Sequence, residues 1–207
     1  MKHAHLTHFD MNGYYQFITF RTADSTDSFL LRLESQNRPN RENQMAMDEY
    51  LDVSRQGAYL QGDVLQFLFE LVKAKNGDLY DLICFAIMSN HVHLLIKPLH
   101  KLSVVMQRVK AASAKGINDM LGRRGTFWEK DYYDKPIRDE EYFRLVYQYI
   151  KNNPLKLNAT SATKVAPRTL VAYYNQHAIA SYGGAASAAQ RDDIFPERLR
   201  FYGIYDD

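Results

Sequence analysis

The sequence predicts an α+β protein, with helices flanking a central, mainly antiparallel sheet. Three observations carry this. Short stretches rich in aromatic and β-branched residues read as strands, Tyr14–Thr22 (YYQFITFRT) the first of them. Two others, Leu79–Met88 and His91–Lys97, are separated only by Ser89-Asn90, the spacing of a hairpin. The helical stretches fall between strands at irregular intervals, unlike the regular βα alternation of a doubly wound parallel sheet.

After the first strand, Asp24–Arg41 carries Ser, Asn, Asp and Pro39 and reads as a loop. Glu42–Ser54 and Tyr59–Lys75 read as helices separated by Gly57. In the second, Leu60, Val64, Leu68, Leu71 and Val72 recur every three or four residues, and Asn76-Gly77-Asp78 ends it. Pro98 stops the hairpin's second strand. Leu102–Leu121 reads as a helix whose buried stripe is Leu102, Val105, Met106, Val109, Ala112 and Ile117. Thr126–Tyr133 (TFWEKDYY) reads as a fourth strand. A further helix starts at Asp139, with Asp139, Glu140 and Glu141 suited to its positive end, and Pro154 is expected to end it. Beyond Leu157 the pattern weakens. Ala159–Arg191 is rich in Ala and small polar residues, and short helices wrapped on the core are expected there. The division is thus a domain over residues 1–157 and an extension over 158–207 packed on or near the core.

The chain has 207 residues, 46% of them hydrophobic and 24% charged, which is the composition of a globular protein able to bury its own core. Its longest wholly apolar run is Leu82–Met88, far short of the ~20 residues of a membrane span. MKHAHLTHFD has no apolar core of a secretory signal, and Cys84 stands alone, so no intrachain disulfide can form. A soluble cytoplasmic protein is the expectation. Net charge is only +2, but residues 101–130 hold seven Lys or Arg against two acids. That local excess could grip a phosphate backbone, although a solvated helix face has the same look.

Two groups of residues carry candidate chemistry. His91 and His93 flank Val92 on a strand, so both imidazoles face one way, with Cα atoms roughly 6–7 Å apart, close enough to share one cation. A second pair, His3 and His5, lies in an unpatterned N-terminus. In Tyr147–Pro154, Tyr149 and Asn153 are four apart and share a helix face. Each feature alone is compatible with ordinary packing.

Taken together they are specific. Met88-Ser89-Asn90-His91-Val92-His93-Leu94-Leu95-Ile96 resembles the His-hydrophobic-His motif of single-tyrosine HUH nucleases. Gly125–Glu129, Tyr132–Asp134, Ile137–Glu140, Tyr149-Ile150 and Asn153-Pro154, in that order, resemble the REP-associated tyrosine transposases of the IS200-like superfamily, and Gly13–Asp24 is similar to their first strand. The resemblance covers about residues 12–157. It departs from the family at Ser89, where Pro is common, and at Leu157-Asn158.

The resemblance implies an HUH nuclease fold, of ferredoxin-like or RRM-like layout. It implies that His91, His93 and Asn153 bind a divalent metal, Mg²⁺ or Mn²⁺, and that Tyr149 is the nucleophile, with Tyr147 the alternative. Tyr147 lies about 200° around the helix from Tyr149, so the two cannot face the same metal. The implied activity is site-specific cleavage and transfer of single-stranded DNA, folded as short palindromic hairpins, through a 5′-phosphotyrosine. Such chemistry conserves the energy of the broken bond, and no GxxxxGK[ST] nucleotide loop occurs in the sequence. The expected DNA contacts are Lys110, Lys115, Arg123, Arg124 and Lys130 on the backbone, with Trp128, Tyr132 and Tyr133 stacking on bases. A catalytically quiet hairpin-binding module and a metal-stabilised structural protein are the other readings. A monomer is expected, since no long apolar interface pattern appears, with a dimer the alternative.

Overall fold

The computed structural model describes residues 13–25, 40–160 and 171–174. Strand β1 (Tyr15–Arg21) leads into a 3₁₀ turn at Ala23–Ser25. Helix α1 (Asn40–Val53) and helix α2 (Gly62–Ala74) precede the hairpin of β2 (Tyr80–Ile87) and β3 (His91–Pro98). Helix α3 (Leu102–Met120), strand β4 (Tyr133–Ile137), helix α4 (Glu140–Thr160) and strand β5 (Val171–Tyr174) follow. The sheet order is β4-β1-β3-β2-β5, and every pairing is antiparallel. The α+β layout expected from the sequence is the one observed.

Strand alternation divides the core between the two faces of the sheet. Val92, Leu94 and Ile96 of β3, with Ile18 and Phe20 of β1, pack against α2 and α3. Phe17 and Leu95 point to the opposite face, where Phe143, Val146, Tyr149 and Ile150 of α4 cover them. His91 and His93 share the odd-numbered parity of Leu95, so the alternation puts them on the α4 side. Because helices cover both faces, β3 is buried along His91–Ile96 rather than alternating with polar residues.

Several boundaries differ from the sequence expectation. The second helix starts at Gly62, not Tyr59. The Leu60 amide donates to the Ser89 carbonyl, and Gln61 is extended, so the chain before Gly62 serves the β2–β3 turn. Residues 126–132 form no strand, and β4 begins only at Tyr133. Consecutive Phe127 and Trp128 are both buried, which a regular strand between a core face and water cannot do, and Thr22 and Trp128 form an isolated bridge. Strand β4 lies at the sheet edge, where Pro136 withholds no hydrogen bond the interior needs. Helix α4 runs through Pro154 to Thr160. Proline removes one intrahelical bond but does not forbid continuation when the rest of the helix is packed. In the stripe of α3, Ser113 is buried and Ala112 exposed, because the Ser113 hydroxyl donates to the Val109 carbonyl and accepts from Trp128 Nε1. In the stretch expected to hold short helices, β5 pairs with β2, while the rest of the segment beyond Thr160 lies outside the described residues.

Gly57 sits at φ +64°, and a Cβ there would overlap Thr22 and Ser25. Its carbonyl accepts the Thr22 hydroxyl at 3.0 Å, tying the α1–α2 connection to the end of β1. Among the described residues, no helix is long and apolar enough to cross a membrane.

Candidate active site

His91 and His93 are both fully buried, and their Nε2 atoms lie 3.1 Å apart. Two nitrogens about 2.1 Å from one cation would sit about 3.0–3.4 Å apart, so the spacing suits a shared metal. Each ring is held from behind. His93 pairs across the strands with Thr19, and its Nδ1 lies 2.9 Å from the Thr19 hydroxyl. The Nδ1 of His91 lies 2.8 Å from Asn90 Oδ1. The orientation of Asn90 is fixed, because its Nδ2 donates to the carbonyls of Leu51, Ser54 and Gln56, each at 3.2 Å. Its oxygen therefore faces His91 and accepts from Nδ1–H, which leaves the lone pair of His91 on Nε2.

Helix α4 begins at Asp139, whose Oδ1 accepts the Tyr142 amide at 2.7 Å as an N-cap. From there the helix brings Tyr149 onto the histidines. The Tyr149 ring meets His93 edge-on with centroids 5.1 Å apart, and meets Phe17 at 5.8 Å. Tyr147 lies at the rim of the same apolar cluster. Asn153, one turn beyond Tyr149, is fully buried, and neither of its amide atoms has a hydrogen-bond partner. An amide orphaned in this way is what a coordinating side chain looks like without its ion. Among the described residues, no cluster of three or more His, Cys, Asp or Glu is placed to hold a metal, and Asn153 offers an amide as a third donor beside the histidines. The residues therefore fit a divalent cation.

Two acids that the sequence reading passed over come from α1. Asp48 is buried, and its Oδ2 accepts the Tyr149 hydroxyl at 2.7 Å. Asp52, one turn later on the same helix face, places Oδ1 3.6 Å from His91 Nε2. The four-residue spacing of two carboxylates was the available signal in the sequence. Cys84 is buried in β2, and desolvation pushes its thiol well above the ordinary range, so it is no candidate nucleophile.

Residues 53–153 match the family model for IS200-like transposases. Over that stretch, the chain is similar to the IS200-like transposases. The match spans His91, His93, Tyr149 and Asn153, and begins after Asp48 and Asp52. A Haemophilus influenzae protein, described only as uncharacterized, is 29% identical over a stretch covering 34% of this chain and 52% of that protein. The chain thus spans about half the length of the curated relative it matches. The solved structure of a REP-associated tyrosine transposase bound to a REP hairpin is 14% identical. It aligns over 74% of this chain and 73% of that one, with a TM-score of 0.43.

The basic segment over residues 101–130 divides into engaged and exposed groups. The Lys110 ammonium donates to the carbonyls of Glu129, Lys130 and Asp131, and burial pushes its pKa down to about 8 against the pull of Asp131 and Glu129. Its three donors serve the loop before β4, which corrects its assignment as a backbone grip. Arg123 pairs with Asp24 at 2.7 Å and stacks over Tyr59. Tyr59 also donates to Asp24, and that bond, with the Arg123 contacts, holds the Asp24 carboxyl below its ordinary range. Trp128 is buried, with its indole donating to Ser113, so it is core rather than a stacking platform. Tyr132 and Tyr133 are half-buried against the core. Lys115, Arg124 and Lys130 are exposed.

Proposed function

We propose that the protein is a metal-dependent, site-specific endonuclease and strand transferase of single-stranded DNA. It acts on hairpin DNA through a covalent 5′-phosphotyrosine. The observation that carries the reading is the meeting of Tyr149 and His93 within one chain, inside the stretch that matches the transposase family. In this reading His91, His93 and Asn153 would hold Mg²⁺ or Mn²⁺. When bound, the cation would polarise the scissile phosphate and offset the charge that develops on it. The Tyr149 oxygen attacks the phosphorus and the 3′-oxygen of the preceding nucleotide leaves, so a 3′-hydroxyl and a tyrosine-linked 5′-phosphate result. The new bond keeps the energy of the old one, and rejoining needs no nucleotide. The hairpin form of the substrate rests on the sequence resemblance. Of the expected backbone contacts, Lys115, Arg124 and Lys130 are the exposed ones that could meet its phosphates. Both histidines are fully buried, so a phosphodiester reaches them only when the packing around them opens.

The test uses a hairpin oligonucleotide with a single-stranded flank, drawn from the protein's own gene flanks and labelled at its 3′ end. With Mn²⁺ the wild-type chain should retain label after denaturation. Tyr149→Phe should bind the hairpin equally and capture none. His91→Ala, His93→Ala or EDTA should stop cleavage while binding survives. Capture lost in Tyr147→Phe but kept in Tyr149→Phe overturns the nucleophile assignment, and full cleavage in EDTA overturns the metal. Hairpin binding without capture by the wild type selects the quiet binding module instead.

A further inference from the structure

A phenol ionises near pH 10, so a tyrosine nucleophile needs a group positioned to take its proton. The histidine pair is badly placed for this. Each Nδ1 is held from behind, and the two Nε2 atoms face one another. Resting on the reading of Tyr149 as nucleophile, we propose that Asp48 is the general base of strand cleavage and the general acid of rejoining.

The geometry meets the requirement that a base lie within hydrogen-bond reach of the proton it takes. The Tyr149 hydroxyl donates to Asp48 Oδ2 at 2.7 Å, across 101 positions of sequence. Asp48 is 3% exposed and Tyr149 is 7% exposed, so little water competes for the bond. Phe17 and His93 both meet the Tyr149 ring edge-on, which fixes the direction of its hydroxyl. The acid is anchored too. Asn90 holds the Leu51 carbonyl in the last turn of α1 with the same amide group whose oxygen holds His91. One side chain thus sets the histidine and, through α1, the helix that presents Asp48. Asp48 lies five residues before the family match begins, so the match does not assign it.

In cleavage, the Tyr149 oxygen bonds to phosphorus as its proton passes to Asp48 Oδ2. The bond from phosphorus to the 3′-oxygen breaks, and that oxygen leaves with the electron pair and takes a proton from water. Asp48 then returns its proton to solvent, so no net proton is consumed. In rejoining, Asp48 takes up a proton from solvent, the 3′-hydroxyl attacks phosphorus and gives its proton to water, and Asp48 passes its proton to the departing phenol oxygen.

The test compares wild type and Asp48→Asn in single-turnover capture of the labelled hairpin, with hairpin affinity measured beside it. Asparagine keeps the shape and cannot take the proton. Capture should slow about 10²- to 10⁴-fold at unchanged hairpin affinity. Asp48→Glu, which restores a carboxylate on a longer stem, should recover part of the rate, which a packing role would not require. The slowing should persist when sulfur replaces the bridging 3′-oxygen, because that substitution eases departure and leaves the nucleophile's need unchanged. Wild-type speed with the sulfur substrate would move Asp48 to the leaving group and overturn the proposal. Asp48→Asn capturing as fast as wild type, or faster, overturns it as well, the faster case marking Asp48 as a block on the site. A wild-type chain that captures nothing removes the nuclease reading, and the role of Asp48 with it.

Discussion

Asn90 is the residue on which the candidate site depends most. Its amide nitrogen serves three carbonyls at the end of α1, and its oxygen sets the hydrogen on His91. Asn90→Ala leaves several buried groups unpaired, each costing about 1–3 kcal/mol, so urea unfolding should show a loss of at least about 2 kcal/mol. Freed to carry its hydrogen on either nitrogen, His91 should also bind Mn²⁺ about 10- to 100-fold more weakly, measured by titration calorimetry on the folded variant. Unchanged Mn²⁺ affinity would show that Asn90 braces α1 without tuning the histidine. Asn90 stood in plain view within the motif Met88–Ile96, but its role was not legible there. Three of its partners lie 34 to 39 residues away, and nothing local announces them. The same holds for Asp48, 101 positions from the tyrosine it touches. That His91 and His93 share one face of a strand, and Tyr149 and Asn153 one face of a helix, was legible from local periodicity, while the roles proposed for them came from the resemblance.

At the scale of elements, sequence periodicity identified the hairpin, the first strand and five of the six stripe residues in α3, since each reflects burial on a regular spacing. It failed where tertiary contacts override local pattern, as at Phe127-Trp128 and past Pro154 in α4. The α2–α3 contact offers a quantitative check. Gly116 lies inside α3, where glycine costs about 1 kcal/mol against alanine. It is there because a Cβ would overlap the tip of the Phe67 ring on α2. Gly116→Ala in the wild-type background should therefore destabilise by about 1–3 kcal/mol, as overpacking does. In a Phe67→Leu background the overlap is gone, and the same substitution should stabilise by about 0.5–1 kcal/mol. Urea midpoints of the four proteins close the cycle, and the same sign in both backgrounds would refute close packing as the reason for the glycine.

At the scale of the whole molecule, the candidate site draws on four elements of one chain. Strands β1 and β3 supply Thr19 and the histidines, α1 supplies Asp48, and α4 supplies Tyr149 and Asn153. The sheet fixes the first pair, because Thr19 and His93 are cross-strand partners. The tyrosine ring reaches His93 of its own chain at 5.1 Å, which leaves no need for a tyrosine from a second copy. A nuclease built from shared halves behaves differently. If Tyr149 served the histidines of a partner, a mixture of Tyr149→Phe and His93→Ala chains would rebuild one good site in each mixed dimer. That site would combine the tyrosine of one chain with the histidines of the other. Mixing equal amounts should then restore capture to a sizeable fraction of wild type. If the site works within one chain, every chain in the mixture lacks one essential group, and the mixture should stay as inactive as either variant alone. Wild-type capture rate per chain should likewise be independent of protein concentration when the hairpin is in excess. Restored capture on mixing would mean that the contact between Tyr149 and His93 is exchanged between copies when DNA is cut.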